Sequence, residues 1–324
     1  MELVFAHQVG FDQLKDKEFD YFISASGYEN RCTYLIDNLD INVVNKRVLA
    51  FSDKKDFLFR EKNDKRFSDE GFVFIEQSAN SKDKVIDLFE EIFSSISNNS
   101  RDPETISILI DYSCMSKIWY SGILEYLISN ESNIKNLEVY FSYTSAIFTE
   151  PLEPEGKALL SAPISLLKSN TLSKKPLAVI IGLGYEKYIT QSIMDKLEYQ
   201  IMYAFYSDPA FDSRYVDRVI KNNRKILRRL PEAHICKYPI EDFRTTDALL
   251  TSLSLKLRLN FRVSILPAGP KPFTLSSLLL AARYPDIEVW SIDKGHSSAA
   301  YNRNPTGEPM VCKVLFSNDE DDFL

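Results

Sequence analysis

Two lysine-bearing segments contain the residue types best suited to binding an anion. In the first, an apolar run ends at Asp111, and Ser113 and Lys117 follow it. At the start of a helix, a hydroxyl and backbone N–H groups donate to phosphate, and a lysine supplies a point charge. The carboxylate of Asp111 suits a ribose hydroxyl. This segment therefore predicts a phosphate or ribose site.

The second segment follows the apolar run 263–266 and has a different composition. Gly269 lets a backbone approach a ligand closely, Lys271 stands beside it, and Thr274 offers a second hydroxyl. Each segment can equally be a capped helix with a solvated lysine. Recurrence of the lysine at the same place favours a shared ligand.

Two Gly-Tyr-Glu turns provide the next candidates. They lie at Gly27, Tyr28 and Glu29 and at Gly184, Tyr185 and Glu186. The tyrosines suit stacking on a base, and the glutamates suit ribose hydroxyls or proton transfer. The alternative is tyrosines that pack in the core and glutamates in a first helical turn. No dinucleotide fingerprint is present, because the third glycine is missing.

Further carboxylates end other apolar runs. Asp53 and Asp208 each follow a serine at such a position, where they can bind ribose or cap a helix. If the chain is an enzyme, the acid/base candidates are Glu29, Asp111 and Glu186, with His296 as a further base. The histidines and cysteines show no metal-ligand spacing, so we expect neither a metal site nor a cofactor.

Composition limits the class of protein. The 324 residues are 44% apolar and 26% charged, which is typical of a folded globular chain. A net charge of −7 argues against stable binding of duplex nucleic acid. The basic stretch 221–229 is expected to be a solvated helix face. Without a signal peptide or an apolar run of about 20 residues, a cytoplasmic protein that makes no membrane contact is expected.

The positions of these residues indicate an internal duplication. Four features recur in one order, at offsets of 157, 155, 154 and 150 positions. The matched pairs are Gly27 with Gly184, Asp53 with Asp208, Lys117 with Lys271, and Val139 with Val289.

Apolar strands that alternate with helical patterns predict an α/β protein. We expect two tandem Rossmann-like halves with parallel sheets, related by pseudo-two-fold symmetry. The first spans residues 1–150 and the second 177–324, with a proline-containing linker at 151–176. Because ligands bind beyond the carboxyl ends of parallel strands, the candidates are expected to line one cleft between the halves.

The sequence Asp111-x-Ser113-x-x-x-Lys117 after a core strand resembles the signature of CARF domains, the CRISPR-associated Rossmann-fold sensors. Tandem halves resemble the SAVED domains of bacterial anti-phage systems. The resemblance implies binding of a cyclic oligonucleotide or similar nucleotide signal, and a separate effector protein as partner. The second half departs from the motif, having Pro267 and Gly269 where the acid and hydroxyl would stand.

Two other classes of function remain open. One is a metal-independent enzyme that cleaves a nucleotide or nucleoside, of the ring-nuclease or glycosidase type. The other is a scaffold subunit of a defence complex, for which an exposed apolar patch would be typical.

Overall fold

The computed structural model describes residues 1–41, 43, 45–98, 105–130, 132, 134–150, 159–164, 174–186, 189–293 and 302–318. The chain divides into two compact units. The first contains Met1–Ile147 together with Ala300–Leu324, and the second contains Phe148–Ala299.

Strands and helices alternate along most of the described chain. The strands are β1 (Glu2–Val9), β2 (Tyr21–Ser26), β3 (Asn45–Phe51), β4 (Val73–Gln77), β5 (Thr105–Asp111), β6 (Asn136–Ala146), β7 (Leu159–Ile164), β8 (Leu177–Gly182), β9 (Ile201–Ser207), β10 (Ile235–Tyr238), β11 (Arg262–Pro267), β12 (Glu288–Asp293) and β13 (Pro305–Ser317). The α-helices are α1 (Tyr34–Asn38), α2 (Arg60–Asp69), α3 (Asp83–Asn98), α4 (Lys117–Ser129), α5 (Ile189–Met194), α6 (Ser213–Asn222), α7 (Arg224–Leu227), α8 (Phe243–Arg258) and α9 (Lys271–Arg283).

The first unit is built on a seven-stranded sheet with the order β1-β13-β6-β5-β2-β3-β4. Strands β2 to β6 pair in parallel with one another. Strand β13 pairs antiparallel with both β1 and β6. The sheet is therefore parallel at its centre and antiparallel along one side.

The second unit has a six-stranded sheet with the order β10-β9-β8-β11-β12-β7. Strands β8 to β12 are parallel, and β7 pairs antiparallel with β12 at the edge. The five parallel strands follow the same order in both sheets, with β8 in the place of β2 and β11 in the place of β5. The predicted α/β class with mainly parallel sheets is confirmed.

The central strands are continuous apolar runs because both faces of a parallel sheet are covered. All six residues of β2 are buried, and β5 and β8 are buried in all but their first residue. Helix α8 begins at an aspartate that caps it, since Asp242 accepts a hydrogen bond of 2.8 Å from the backbone N–H of Thr245. No helix in these described ranges combines the length and apolar character that crossing a bilayer requires.

The unit boundaries differ from those expected from the sequence. Strand β13 falls in the expected second half, 177–324, but pairs with β6 in the first sheet. Strand β7 falls within the expected linker, 151–176, most of whose other residues lie outside the described ranges. Its Pro163 is compatible with a strand because β7 is an edge strand, where a missing N–H donor costs least.

Candidate functional site

Most of the candidate residues lie at the switch point of each sheet, the place where the strand order proceeds in opposite directions from two neighbouring strands. In the first unit, β2 and β5 are neighbours, and the order proceeds from them in opposite directions to β3 and to β6. Ligands of open α/β sheets bind beyond the carboxyl ends of such a strand pair. The turn 27–31 follows β2, and the segment 111–117 begins with the last residue of β5. In the second unit, 184–186 follow β8, and the segment 267–271 begins with the last residue of β11.

Asp111 and Ser113 are hydrogen-bonded to each other beneath the surface at the first switch point. Both are buried, with exposures of 2% and 0%. The backbone N–H of Ser113 donates to Asp111 Oδ1 at 3.0 Å, and its hydroxyl donates to the same oxygen. That hydroxyl accepts a bond of 2.7 Å from the N–H of Thr144, in β6. The two side chains therefore fix the loop after β5 to the end of β6.

A buried guanidinium lies beside this loop. The side chain of Arg31 is 1% exposed, and its Nε donates to Glu29 Oε2 at 2.7 Å. Its Nη1 donates to the Thr144 carbonyl at 2.8 Å and to the Tyr143 hydroxyl at 3.3 Å. Among the described residues, Nη2 has no hydrogen-bond partner although it is buried. The unmatched donor is unusual, because buried polar atoms are nearly always hydrogen-bonded.

Glu29 lies between two guanidinium groups at the rim of the site. Its side chain is 17% exposed, and Arg303 Nε is 3.7 Å from its second oxygen. The thiol of Cys114 donates to Glu29 Oε2 at 3.8 Å. Burial, then the contact with Cys32, raises the pKa of Cys114 well above its ordinary value, so the thiol stays protonated. Two cations and one carboxylate thus face the same small region.

A buried asparagine fixes the turn that carries Glu29. The side-chain amide of Asn63, in α2, donates to the carbonyls of Gly27 and Glu29 at 2.8 Å each. A Cβ at Gly27 would stand 3.3 Å from the ring of Phe51 and 3.6 Å from the Cys32 sulfur. This turn is therefore held by packing and by hydrogen bonds on both sides.

The other candidates of the first unit lie nearer the surface. Lys117 is the first residue of α4 and is partly exposed. Asp53 is exposed after β3. The ammonium of Lys54 stands 5.2 Å from the centre of the Tyr28 ring. The ring of Tyr28 is therefore covered on one face by a cation.

In the second unit, two adjacent asparagines take the place of Asn63. Asn223 Nδ2 donates to the Gly184 carbonyl at 2.8 Å, and Asn222 Nδ2 donates to the Tyr185 carbonyl. The ring of Tyr185 packs edge-on against Tyr215, with centroids 5.1 Å apart. This turn is therefore also hydrogen-bonded to the C-terminal end of α6, the helix that follows β9.

The glycines of the second switch point serve backbone packing. A Cβ at Gly184 would lie 2.5 Å from the Ala268 carbonyl oxygen, and one at Gly269 would lie 2.8 Å from the Leu183 oxygen. The turn after β8 and the loop after β11 are therefore in direct contact.

The remaining candidates of the second unit have varied surroundings. Thr274 is fully buried, and its hydroxyl faces the Pro270 carbonyl at 3.5 Å. Lys271 is partly exposed at the start of α9, and Glu186 is partly exposed after the turn. Asp208 forms an ion pair of 2.8 Å with Lys237. His296 lies outside the described residues.

Sequence reasoning missed the two arginines and the asparagines. Arg31 stands two residues after Glu29, so the Glu-x-Arg spacing was an available signal. Arg303 precedes β13, more than 270 residues from Glu29, and no local pattern links the two. Asn63 and Asn223 are 160 positions apart, close to the offset of the glycine turns, and could have been found by extending the repeat alignment.

The described residues contain no group of three or more histidine, cysteine, aspartate or glutamate side chains arranged to hold a metal ion. No protein-family model matches the chain, and no curated protein is significantly similar to it.

Proposed function

We propose that the first unit binds a nucleotide-type anion at the switch point between β2 and β5. The observation that carries the proposal is the buried guanidinium of Arg31, whose Nη2 has no hydrogen-bond partner in the described structure. A buried charge is costly unless its donors are satisfied, and a ligand oxygen would satisfy this one. Arginine suits phosphate in particular, because its planar fork matches phosphate oxygens.

Neighbouring groups supply the rest of a nucleotide site. Arg303 approaches the same region at the rim, 3.7 Å from Glu29. Lys117 begins α4, and the start of a helix favours anions through its backbone N–H groups. In the proposed complex, Arg31 and Arg303 contact phosphate and Glu29 accepts from a sugar hydroxyl.

Binding is favoured over turnover. Glu29 is engaged by Arg31 and Arg303, so proton transfer by this carboxylate would require breaking ion pairs. The thiol of Cys114, next to it, is held in its protonated form by burial and is a poor nucleophile. A role as a signal sensor of bacterial defence, with a separate effector, rests on the CARF and SAVED resemblance alone.

We also propose that the two units descend from one duplicated ancestor. The support is the shared order of five parallel strands and the recurrence of an asparagine-to-glycine-turn hydrogen bond. On this proposal the second unit shares the scaffold of the first.

Titration calorimetry tests the binding proposal. The purified chain is titrated with AMP, ADP, inorganic phosphate and cyclic di-, tri- and tetranucleotides. We expect at least one nucleotide to bind, and Arg303→Gln and Lys117→Gln each to weaken it about 10-fold, or about 1.4 kcal/mol. Lys62→Gln, an exposed lysine on α2 with the same charge change, is the control and should bind normally.

Two results would overturn the proposal. One is a wild-type protein that binds nothing in the panel. The other is unchanged affinity in both variants, with circular dichroism showing that they are folded. Binding of phosphate alone, at the same affinity as every nucleotide, would reject the assignment of Glu29 to the sugar.

A further inference from the structure

A basic stripe runs along one helical face of the second unit. It consists of Lys221, Arg224, Lys225, Arg228 and Arg229, and all five side chains are exposed. Their spacing of i, i+3, i+4, i+7 and i+8 places them on one side of a helix. The opposite side faces the core, where Val219, Asn223 and Ile226 are buried.

The stripe is continuous across the junction between α6 and α7. Backbone hydrogen bonds of the i to i−4 type cross it, from Asn223 to Val219 at 3.0 Å and from Leu227 to Asn223 at 3.0 Å. Asn223 also bonds the Gly184 turn, so the helix is fixed to the sheet at this point. The five cations are therefore presented by a rigid element.

These cations are not neutralised within the described structure. Arg214 and Arg218, two turns and one turn earlier, pair with Asp212 and Glu150, whereas none of the five stripe residues forms an ion pair with a described residue. In the described ranges five arginines lie outside any ion pair, and three of them belong to the stripe. In a chain of net charge −7, this concentration indicates an anionic partner.

Two adjoining pockets flank the stripe. One, of about 370 Å³, is lined by 221–226 and Gln191. The other, of about 250 Å³, shares Gln191 and Ile226 with the first and adds Arg229, Tyr199 and His234. Tyr199 is 40% exposed and lines the second pocket, so its ring is open to a stacking partner.

We propose that this face binds single-stranded nucleic acid, with the stripe contacting successive phosphates and Tyr199 stacking on a base. A cationic groove next to an aromatic ring is the arrangement used for single strands, since every base has a face that stacks. An acidic peptide would use the cations and leave the ring without a role. The surface is separate in residues from the nucleotide site proposed in the first unit.

Fluorescence anisotropy with a labelled 20-nucleotide oligo(U) at several salt concentrations tests this inference. With about three phosphates contacted, log K should fall with log salt at a slope of about −2. The variant Arg224→Gln/Lys225→Gln/Arg228→Gln should lose at least 10-fold in affinity and most of the slope. The matched control is Arg244→Gln/Lys256→Gln/Arg262→Gln, which removes the same charge from exposed positions of the same unit and should change affinity less than 2-fold.

Tyr199→Ala separates stacking from charge. It should weaken oligo(U) several-fold and leave the salt slope unchanged. The inference is overturned if the wild type does not bind oligo(U), if both triple variants lose affinity equally, or if polyglutamate competes as well as unlabelled oligo(U). Titration with mononucleotides should be unaffected in the stripe variant, so failure here leaves the site around Arg31 to be judged separately.

Discussion

Asn223 donates from its side-chain amide to the carbonyl oxygen of Gly184 at 2.8 Å. Asn63 makes the same type of bond to Gly27 in the first unit, also at 2.8 Å. Both asparagines are buried and belong to the segment after the second parallel strand. Each unit thus uses a buried asparagine amide to fix the turn at its switch point.

Replacing either amide should destabilise the protein. We expect Asn63→Ala and Asn223→Ala each to cost about 1–3 kcal/mol, because a buried carbonyl loses its donor. Asn38→Ala removes an exposed amide bonded to the Tyr34 carbonyl and should cost less than about 0.5 kcal/mol. Urea unfolding followed by circular dichroism measures the differences, and equal effects at all three positions would contradict the structural role.

The close approach of the two loops in the second unit gives a prediction about glycine. Gly184→Ala should cost about 1–3 kcal/mol, since the new Cβ would stand 2.5 Å from a backbone oxygen of Ala268 that cannot rotate away. Gly10→Ala is the matched control, with nothing within 4 Å of its Cβ and an extended backbone. It should be neutral or slightly stabilising. Thermal unfolding of the two variants compares them, and a neutral Gly184→Ala would refute the contact.

The ion pair between the buried Arg31 and the partly exposed Glu29 should behave as a unit. Arg31→Met alone should cost about 1–3 kcal/mol, because Glu29 loses its nearer cation and the Thr144 carbonyl loses a buried donor. Adding Glu29→Gln should recover part of that loss. A double-mutant cycle on urea unfolding measures the coupling, and strictly additive effects would show that the pair is not coupled.

Acid should weaken the second unit through Asp212. The side chain of Arg214, then the backbone N–H groups of Arg214 and Phe148, hold the pKa of Asp212 well below its ordinary value. A depressed pKa in the folded state contributes stability that is complete above the unfolded value near 3.8 and is lost as the pH falls below it. Asp212→Asn keeps a capping side chain but removes the charge.

The variant should therefore be less stable than the wild type at neutral pH, and the difference should shrink between about pH 4 and pH 2. Melting temperatures across this range provide the measurement. A constant difference at every pH would mean that the carboxylate charge does not contribute.

The sequence indicated the α/β class because strand and helix patterns are local. Apolar runs such as β2 and β8, each followed by a glycine turn, identify parallel strands and their carboxyl ends without knowledge of tertiary contacts. The positions of Asp111 and Lys117 at a strand end and a helix start could be predicted for the same reason.

Long-range pairing could not be predicted in this way. The contact of Arg303 with Glu29 depends on the antiparallel pairing of β13 with β6. Residues 148–299 separate these two strands in the sequence, so no local pattern indicates the pairing. Strand β7 was not predicted because it contains Pro163. A proline argues against a strand unless the strand is known to lie at the edge of a sheet. The hydrogen bond between Ser113 and Asp111 was also missed, because a side chain that can bind a ligand can equally bind a neighbouring side chain.

The return of β13 has a consequence for biosynthesis. Strand β6 lies between β5 and β13, and the ribosome reaches β13 only after it has made residues 148–299. During translation β6 is thus an open edge of the first sheet, while the continuous second unit has all its strands and can fold as soon as it emerges. The first unit therefore cannot complete its sheet until β13 has been synthesised. By then all strands of the second unit have already been made.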